Sequence, residues 1–252
     1  MDGNNPDNWL IRLDDQEFIC SFRFPETHLL FQKNLVRQED RSGLFLMSED
    51  WKSWNQTGKV VDAAAEFSLF SPVISDELMK YDRILMHGAA FRFRERGYII
   101  TAPSGVGKSR QVRTLNQLHS GLFPVICGDR PVLHFENSGC VTVNPSPWNG
   151  KEGWYGAEGA PLAALIVLKR GTRDRIRRLT KKEAVIPVFS GMIYSRKNGE
   201  NIRMAAFYTD RLLRMVPVWE LTNRETPGST ELLYQHVLLE GMKNGLSDST
   251  RN

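Results

Sequence analysis

The sequence predicts an α/β fold, and three observations carry that reading. A buried apolar run enters a glycine loop that opens an amphipathic helix across residues 98–118. Short runs of strand length, bounded by turn residues, recur before and after that loop. The final third turns to helical spacing of its apolar residues.

In chain order, "WLIRLDDQEFICSFRFP" places two short apolar runs around Asp14-Asp15 and predicts a hairpin from Trp9 to Pro25. The strand-like pattern continues through "LFLMSEDWKSWNQ" and "AAAEFSLF", so residues 1–70 are expected to form a small strand-rich unit, with the main domain over 71–252. "SPVISDELMKYDRILMHG" predicts a helix capped by Ser71 or Ser75, with Leu78, Tyr81 and Leu85 at helical spacing. "AAFRFRERGYIITAP" predicts a hairpin turning at Glu95 to Gly97, whose second strand delivers Tyr98-Ile99-Ile100 into the loop. Beyond it, Val112, Leu115 and Leu118 predict a helix from near Gly107 to before Gly121.

"FPVICGDRPVLHFENSGCVTVNPSP" predicts a strand reaching Asp129, then a hairpin around Asn137 to Gly139. "PLAALIVLKRG" reads as an apolar strand and "DRIRRLT" as a polar strand paired with it. Helices are expected in "KKEAVIPVFSGMIYS", in "ENIRMAAFYTDRLLRMV" with Met204, Phe207, Tyr208, Leu212 and Met215 on one face, and in "STELLYQHVLLEGM" capped by Ser229. A short strand, "VPVWEL", separates the last two.

Composition sets the frame for function. Apolar content of 41% and charged content of 25% over 252 residues suit a folded chain that builds its core without metals or disulfides. No run reaches the roughly 18 apolar residues of a membrane span, and Met1 to Pro6 is polar and acidic, so a cytoplasmic protein is expected. Cys20, Cys127 and Cys140 have no CxxC spacing, which argues against a zinc knuckle or a disulfide framework. The net charge of +4 is uneven: "LKRGTRDRIRRLTKK", Leu168 to Lys182, holds eight Lys or Arg against one Asp. It reads either as a solvated hairpin and helix start or as a surface for an acidic peptide or nucleic acid.

"YIITAPSGVGKSRQ" matches the Walker A spacing except that Ala102 stands at the first glycine position. A phosphate in such a loop is held by converging backbone N–H groups and the positive end of the following helix. Gly105 and Gly107 occupy the tightest positions, and alanine at 102 is acceptable if its φ stays negative. Lys108 would bridge the β and γ phosphates of a nucleotide, and the Ser109 hydroxyl would reach Mg²⁺. Asp129, at the end of the strand Val125-Ile126-Cys127, offers the carboxylate a metal-bound nucleotide needs, or else it is a turn residue. Arg130 balances charge near the phosphates or pairs with Asp129.

His87-Gly88, a hairpin, "IITAPSGVGKS" and then "GDRPVL" resemble the HPr kinase/phosphorylase group of P-loop kinases, which shares its core with phosphoenolpyruvate carboxykinase. "PSPWNGKE" followed by "APLAALIVLKRG" is similar to the small HPr-kinase-like proteins found beside peptide-modification genes. The resemblance spans roughly residues 84 to 180 and implies a kinase core with a mixed sheet, followed by C-terminal helices. It implies an enzyme using ATP and Mg²⁺, with Ser104, Gly105, Val106, Gly107, Lys108, Ser109 and Arg110 at the nucleotide, and Ser109 and Asp129 at the metal. His87, Lys108, Asp129 and Arg130 take the catalytic positions, with Asp129 either binding metal or activating a hydroxyl. Two departures stand out: the usual acidic doublet is Gly128-Asp129, and the Glu that follows the Ser in HPr kinases is Arg110.

"NPSPWNGKEGWYG" reads either as a loop closing over the site, with Lys151 on a phosphate and Trp148 excluding water, or as a loop anchored by Trp148 in the core. The expected activity is transfer of the γ-phosphate of ATP to a hydroxyl, most simply Ser or Thr of a peptide or small protein, with an acidic acceptor suiting the basic segment. A nucleic-acid partner is disfavoured, no membrane partner is expected, and a homo-oligomer is left open. A non-catalytic nucleotide-binding module and a small-molecule kinase are the competing readings.

Overall fold

The computed structural model describes the backbone of residues 8–13, 16–23 and 42–46, and residues 71–72, 74–146, 148, 158–196, 199–224 and 226–239. The chain divides into two units, Met1–Glu77 and Leu78–Asn252. In the first, β1 (Asn8–Leu13) and β2 (Gln16–Arg23) pair antiparallel with Leu13 opposite Gln16, the hairpin expected around Asp14-Asp15. β3 (Ser42–Leu46) then joins β2 in parallel. The expected strands beyond it, through residue 70, lie outside the described residues.

The second unit is a mixed α/β structure. The helical residues 74–78 straddle the boundary between the units, with Ser75 inside the stretch rather than ahead of it, and a 3-10 turn follows at Met79–Tyr81 in the second unit. The predicted helix stops there, because Asp82 takes a left-handed backbone, φ 56°. Leu85 therefore belongs to β4 (Arg83–Met86) and not to a helix. β5 (Ala89–Phe93) and β6 (Arg96–Thr101) form the expected hairpin, but the turn sits at Arg94-Glu95, with Arg94 at φ 54°. α1 (Lys108–Leu118) follows the glycine loop, and β7 (Val125–Cys127) ends two residues before Asp129. β8 (Val132–Phe135) and β9 (Val141–Asn144) make the hairpin expected around Asn137 to Gly139, and Gly139 supplies its positive φ of 81°.

After β10 (Ala160–Arg170) come β11 (Arg175–Arg178), α2 (Lys181–Gly191), β12 (Met192–Ile193), α3 (Gly199–Met215), β13 (Val218–Asn223) and α4 (Pro227–Leu233). A π-helical turn, Tyr234–Leu239, continues α4. The sheet runs β12-β4-β8-β9-β10-β6-β5-β7, with β13 beside β10 and β11 outside β13. β6, β10 and β13 are parallel. β7 runs with them, since both β6 and β7 are antiparallel to β5. The C-terminal ends of these strands therefore share one edge, where open α/β sheets bind ligands.

Two predictions fail here for tertiary reasons. β11 does not pair with β10, because β13 takes that place, Leu165 opposite Val218 through Arg170 opposite Asn223. The more apolar "VWELTN" sits inside, and "RIRR", with its charges, suits the outer position. Ser229 does not cap the last helix: Thr226 is the N-cap, Pro227 follows it, and Ser229 lies buried within the helix. α2 carries Pro187 internally as expected but ends at Gly191, its start fixed by a capping box between Thr180 and Glu183.

Alternating residues of the two central strands serve two cores. Ile99, Leu165 and Val167 pack with Ala184 and Val188 of α2 and Ala205, Tyr208 and Leu212 of α3. Tyr98, Ile100, Ala164 and Ile166 pack with Val112 and Leu115 of α1 and Leu233 of α4. Strands covered on both faces read as continuous apolar runs, which is why "YIIT" and "LAALIVL" carry no polar alternation. On α3 the expected face is partly wrong, since Phe207 is 53% exposed while Tyr208 and Leu212 are buried. No helix among the described residues is long and apolar enough to cross a membrane.

Candidate active site

The site forms where β6 and β7 end. β6 leads through Thr101 and Ala102 into a loop whose Gly105 and Gly107 take φ of 79° and 111°, conformations that side chains resist. A Cβ at either position would meet nothing within 4 Å, so backbone conformation and not crowding calls for glycine. Ala102 is absent from the positive-φ residues and only 8% exposed, packed in the α1-side core. Gly107 is the N-cap of α1, so the loop delivers its last N–H groups at the positive end of that helix.

Lys108 is 8% exposed, yet its ammonium is not orphaned. Nζ donates to the Ala102 carbonyl at 3.1 Å and lies 3.0 Å from His87 Nε2. His87 Nε2 is also 3.4 Å from Asp129 Oδ1, while Asp129 Oδ2 lies 3.1 Å from Arg130 Nε. Four residues named from the sequence, His87, Lys108, Asp129 and Arg130, thus form one chain of contacts.

His87 Nε2 cannot serve both neighbours as they stand. It accepts from the Lys108 ammonium when unprotonated, or donates to Asp129 when protonated.

Backbone contacts fix this cluster from several elements. His87 N donates to Gly191 O at 2.8 Å, and the Thr101 hydroxyl to His87 O at 2.8 Å. Gly88 N donates to Asp129 O at 2.8 Å, and Arg130 N to Trp148 O at 3.0 Å. Trp148 itself is buried, 3% exposed. Its carbonyl also accepts from the Cys127 thiol, whose pKa burial pushes up.

Electrostatics follow from partial burial. Burial pushes the Lys108 pKa down, and the Asp129 charge restores only part of it. Burial pushes the Asp129 carboxyl up, but the His87 hydrogen bond and the charges of Arg130, His87 and Lys108 outweigh it and hold the carboxyl below its ordinary value. Burial likewise lowers Arg130, with Asp129 opposing.

The remaining expected residues are placed as follows. Ser104, Gly105 and Arg110 are exposed, while Val106, Gly107 and Ser109 are half-buried. Lys151 lies outside the described residues. Three features were missed. Arg170, at the end of β10, donates through Nη2 to Gly105 O at 2.8 Å; its only sequence signal was its place in the basic stretch. Gln111, one turn into α1, is 3% exposed, with Nε2 donating to Ser229 Oγ at 2.9 Å and Oε1 accepting from Thr230 at 2.7 Å. Within the basic stretch itself, Glu220 pairs with Lys169 and Arg177, and Arg177 also pairs with Glu183.

The residues fit a magnesium nucleotide. Open φ-positive glycines at a helix N-terminus, a buried lysine and a hydroxyl suit phosphate. Among the described residues no three His, Cys, Asp or Glu side chains cluster as a protein-only metal site. Mg²⁺ needs only one or two carboxylates when phosphate oxygens and water complete its shell, so Asp129 and Ser109, through its hydroxyl, are the residues that would hold it.

Fold and site together define a mixed α/β protein with a glycine loop and a Lys-His-Asp-Arg cluster at the C-terminal edge of its parallel strands. No protein-family model matches the chain, and no curated protein matches it. Among solved structures, it is similar to the Hpr(Ser) kinase/phosphatase from Coxiella burnetii, with a TM-score of 0.39 and 15% identity over 66% of this chain and 95% of that one.

Proposed function

We propose that this chain is an ATP-dependent phosphotransferase that moves the γ-phosphate to a hydroxyl, most simply Ser or Thr of a peptide or small protein in the cytoplasm. The observation that carries this reading is the convergence of Lys108 and Asp129 on His87 beside a glycine loop with two left-handed positions. Bound Mg-ATP would supply the transferable phosphoryl group, held by the loop N–H groups and Lys108, with Asp129 and Ser109 toward the metal.

Lys108 places positive charge beside the loop, in a setting dry enough to strengthen it. Asp129 is the one carboxylate of the cluster and can take the proton of an acceptor hydroxyl. Its depressed pKa makes it a weak base, and that suits a loose phosphoryl transition state in which positioning and charge dominate. Arg130 holds Oδ2 and fixes the carboxylate's orientation.

One observation favours a second reading, a nucleotide-binding module without catalysis: Asp129 Oδ2 is held by Arg130, and Oδ1 lies 3.4 Å from His87 Nε2. The test is titration of the full chain with Mg-ATP, then assay of ADP formation alone and with Ser- and Thr-containing peptides. Lys108→Ala should weaken ATP binding at least about tenfold, about 1.4 kcal/mol, and abolish turnover. Unchanged binding and turnover would sink the loop assignment. Tight binding by the wild type without phosphate transfer to any acceptor would favour the module.

A further inference from the structure

Arg170 is the last residue of β10, which runs parallel to β6 with Val167 opposite Thr101. It therefore stands beyond the end of β6, beside the glycine loop. Its Nη2 donates to the Gly105 carbonyl at 2.8 Å. Gly105 has φ 79° and open space where a Cβ would be, so no side chain of its own fixes the peptide that follows. What its carbonyl bonds decides which way that peptide faces.

A trans peptide points its C=O and its N–H in opposite directions. With Gly105 O drawn toward Arg170, the Val106 N–H turns the other way, over the loop toward Pro103 O at 3.5 Å. That contact is longer than an ordinary N–H···O bond, so the N–H can exchange it for a phosphate oxygen at little cost. Lys108 holds the Ala102 carbonyl at the loop's start, and Arg170 holds the Gly105 carbonyl at its middle.

We propose that Arg170 is a positioning residue for nucleotide phosphates, acting through the Gly105 carbonyl to aim the Val106 N–H into the loop; this rests on the phosphotransferase reading above. The planar guanidinium matters as well as its charge, because a fork of N–H groups on a strand end restrains a carbonyl better than a mobile ammonium.

The test measures Kd for ATP, ADP and adenosine on the wild type, Arg170→Ala, Arg170→Lys and Lys108→Ala, at about 0.1 M and about 0.5 M salt, with thermal midpoints alongside. Arg170→Ala should weaken ATP and ADP in parallel by about tenfold, leave adenosine unchanged and move the midpoint by no more than about 2 °C. The loss should persist at high salt, where exposed charge is screened, and Arg170→Lys should not restore it. Unchanged affinities would overturn the proposal, as would a loss confined to ATP, which would mean direct contact with the γ-phosphate. So would a loss that vanishes at high salt or is restored by Lys, which would mean charge alone. If Lys108→Ala loses binding while Arg170→Ala does not, only this proposal falls; if the wild type binds no nucleotide, the phosphotransferase reading falls with it.

Discussion

Replacing Asp129 by Asn deletes the negative charge that contacts Arg130 and His87 and acts on Lys108, and the consequences for binding and transfer have opposite signs. Asp129 Oδ2 is 3.1 Å from Arg130 Nε, with the two side chains 29% and 18% exposed. Unit charges about 4 Å apart interact by about 4 kcal/mol at an effective dielectric of about 20, and contact with water brings this to roughly 2 kcal/mol. In the Asn variant that attraction becomes available to bound phosphates. Metal-free ATP should therefore bind more tightly, by several-fold up to about thirtyfold at about 1.4 kcal/mol per factor of ten.

Phosphate transfer should fall at least about a hundredfold, because the charge that holds Mg²⁺ or accepts the acceptor proton is gone. Calorimetric titration with ATP in chelator, beside ADP release in Mg²⁺, reads both effects. Weaker metal-free binding, or turnover that survives, would refute the placement of Asp129 in the site.

The same variant has an acid signature. Burial raises the Asp129 pKa, but His87, Arg130 and Lys108 more than offset it, so the folded value lies below the unfolded one. The stability this supplies is present above the unfolded pKa of about 3.9 and is lost as pH falls through the folded value. The wild type's stability margin over Asp129→Asn should narrow toward low pH; a margin that widens there contradicts the sign.

Two further substitutions probe the scaffold of the loop. Gly107→Ala forces a side chain onto φ 111° with open space around it, so backbone strain alone should cost about 1–2 kcal/mol and weaken ATP binding, read by thermal melts and titration. An unchanged midpoint would mean the loop relaxes without consequence. Gln111→Ala leaves the buried hydroxyls of Ser229 and Thr230 without their amide partner and should lower the urea midpoint by an amount equivalent to about 2–3 kcal/mol. Adding Thr230→Val should recover part of that loss, and no recovery would mean the amide matters only for packing.

How much of this was legible follows from where each signal resides. The strand, loop and helix across residues 98–118 were readable because apolar runs, glycines and helical spacing are local properties of the sequence. The role of Ser229 was not, because its amide partner lies 118 residues away, and a serine near a helix start resembles a cap until that partner is known. The place of β11 was misread for the same kind of reason: neighbours in sequence usually pair, but β10 gives its edge to a strand about fifty residues later. At Arg94 and Asp82 the chain uses left-handed backbone at residues other than glycine, so the glycine at 97 and the helical spacing of Leu85 misplaced those boundaries. His87, Lys108 and Asp129 were legible one by one, whereas their junction at a single imidazole nitrogen required the fold.

Ala102 shows why a departure from a pattern need not weaken the chemistry that the pattern serves. The loop needs its freedom where φ is positive, and Gly105 and Gly107 hold both such positions. At residue 102 the chain is still leaving β6. The side chain there is 8% exposed, in the core that contains Ile100 and Val112, so a methyl group packs where glycine would leave a gap. The part of residue 102 that faces the chemistry is its carbonyl, which accepts from Lys108 at 3.1 Å, and a carbonyl is supplied equally by alanine and by glycine. The substitution therefore adds burial on one side of the backbone and leaves the hydrogen bond on the other unchanged.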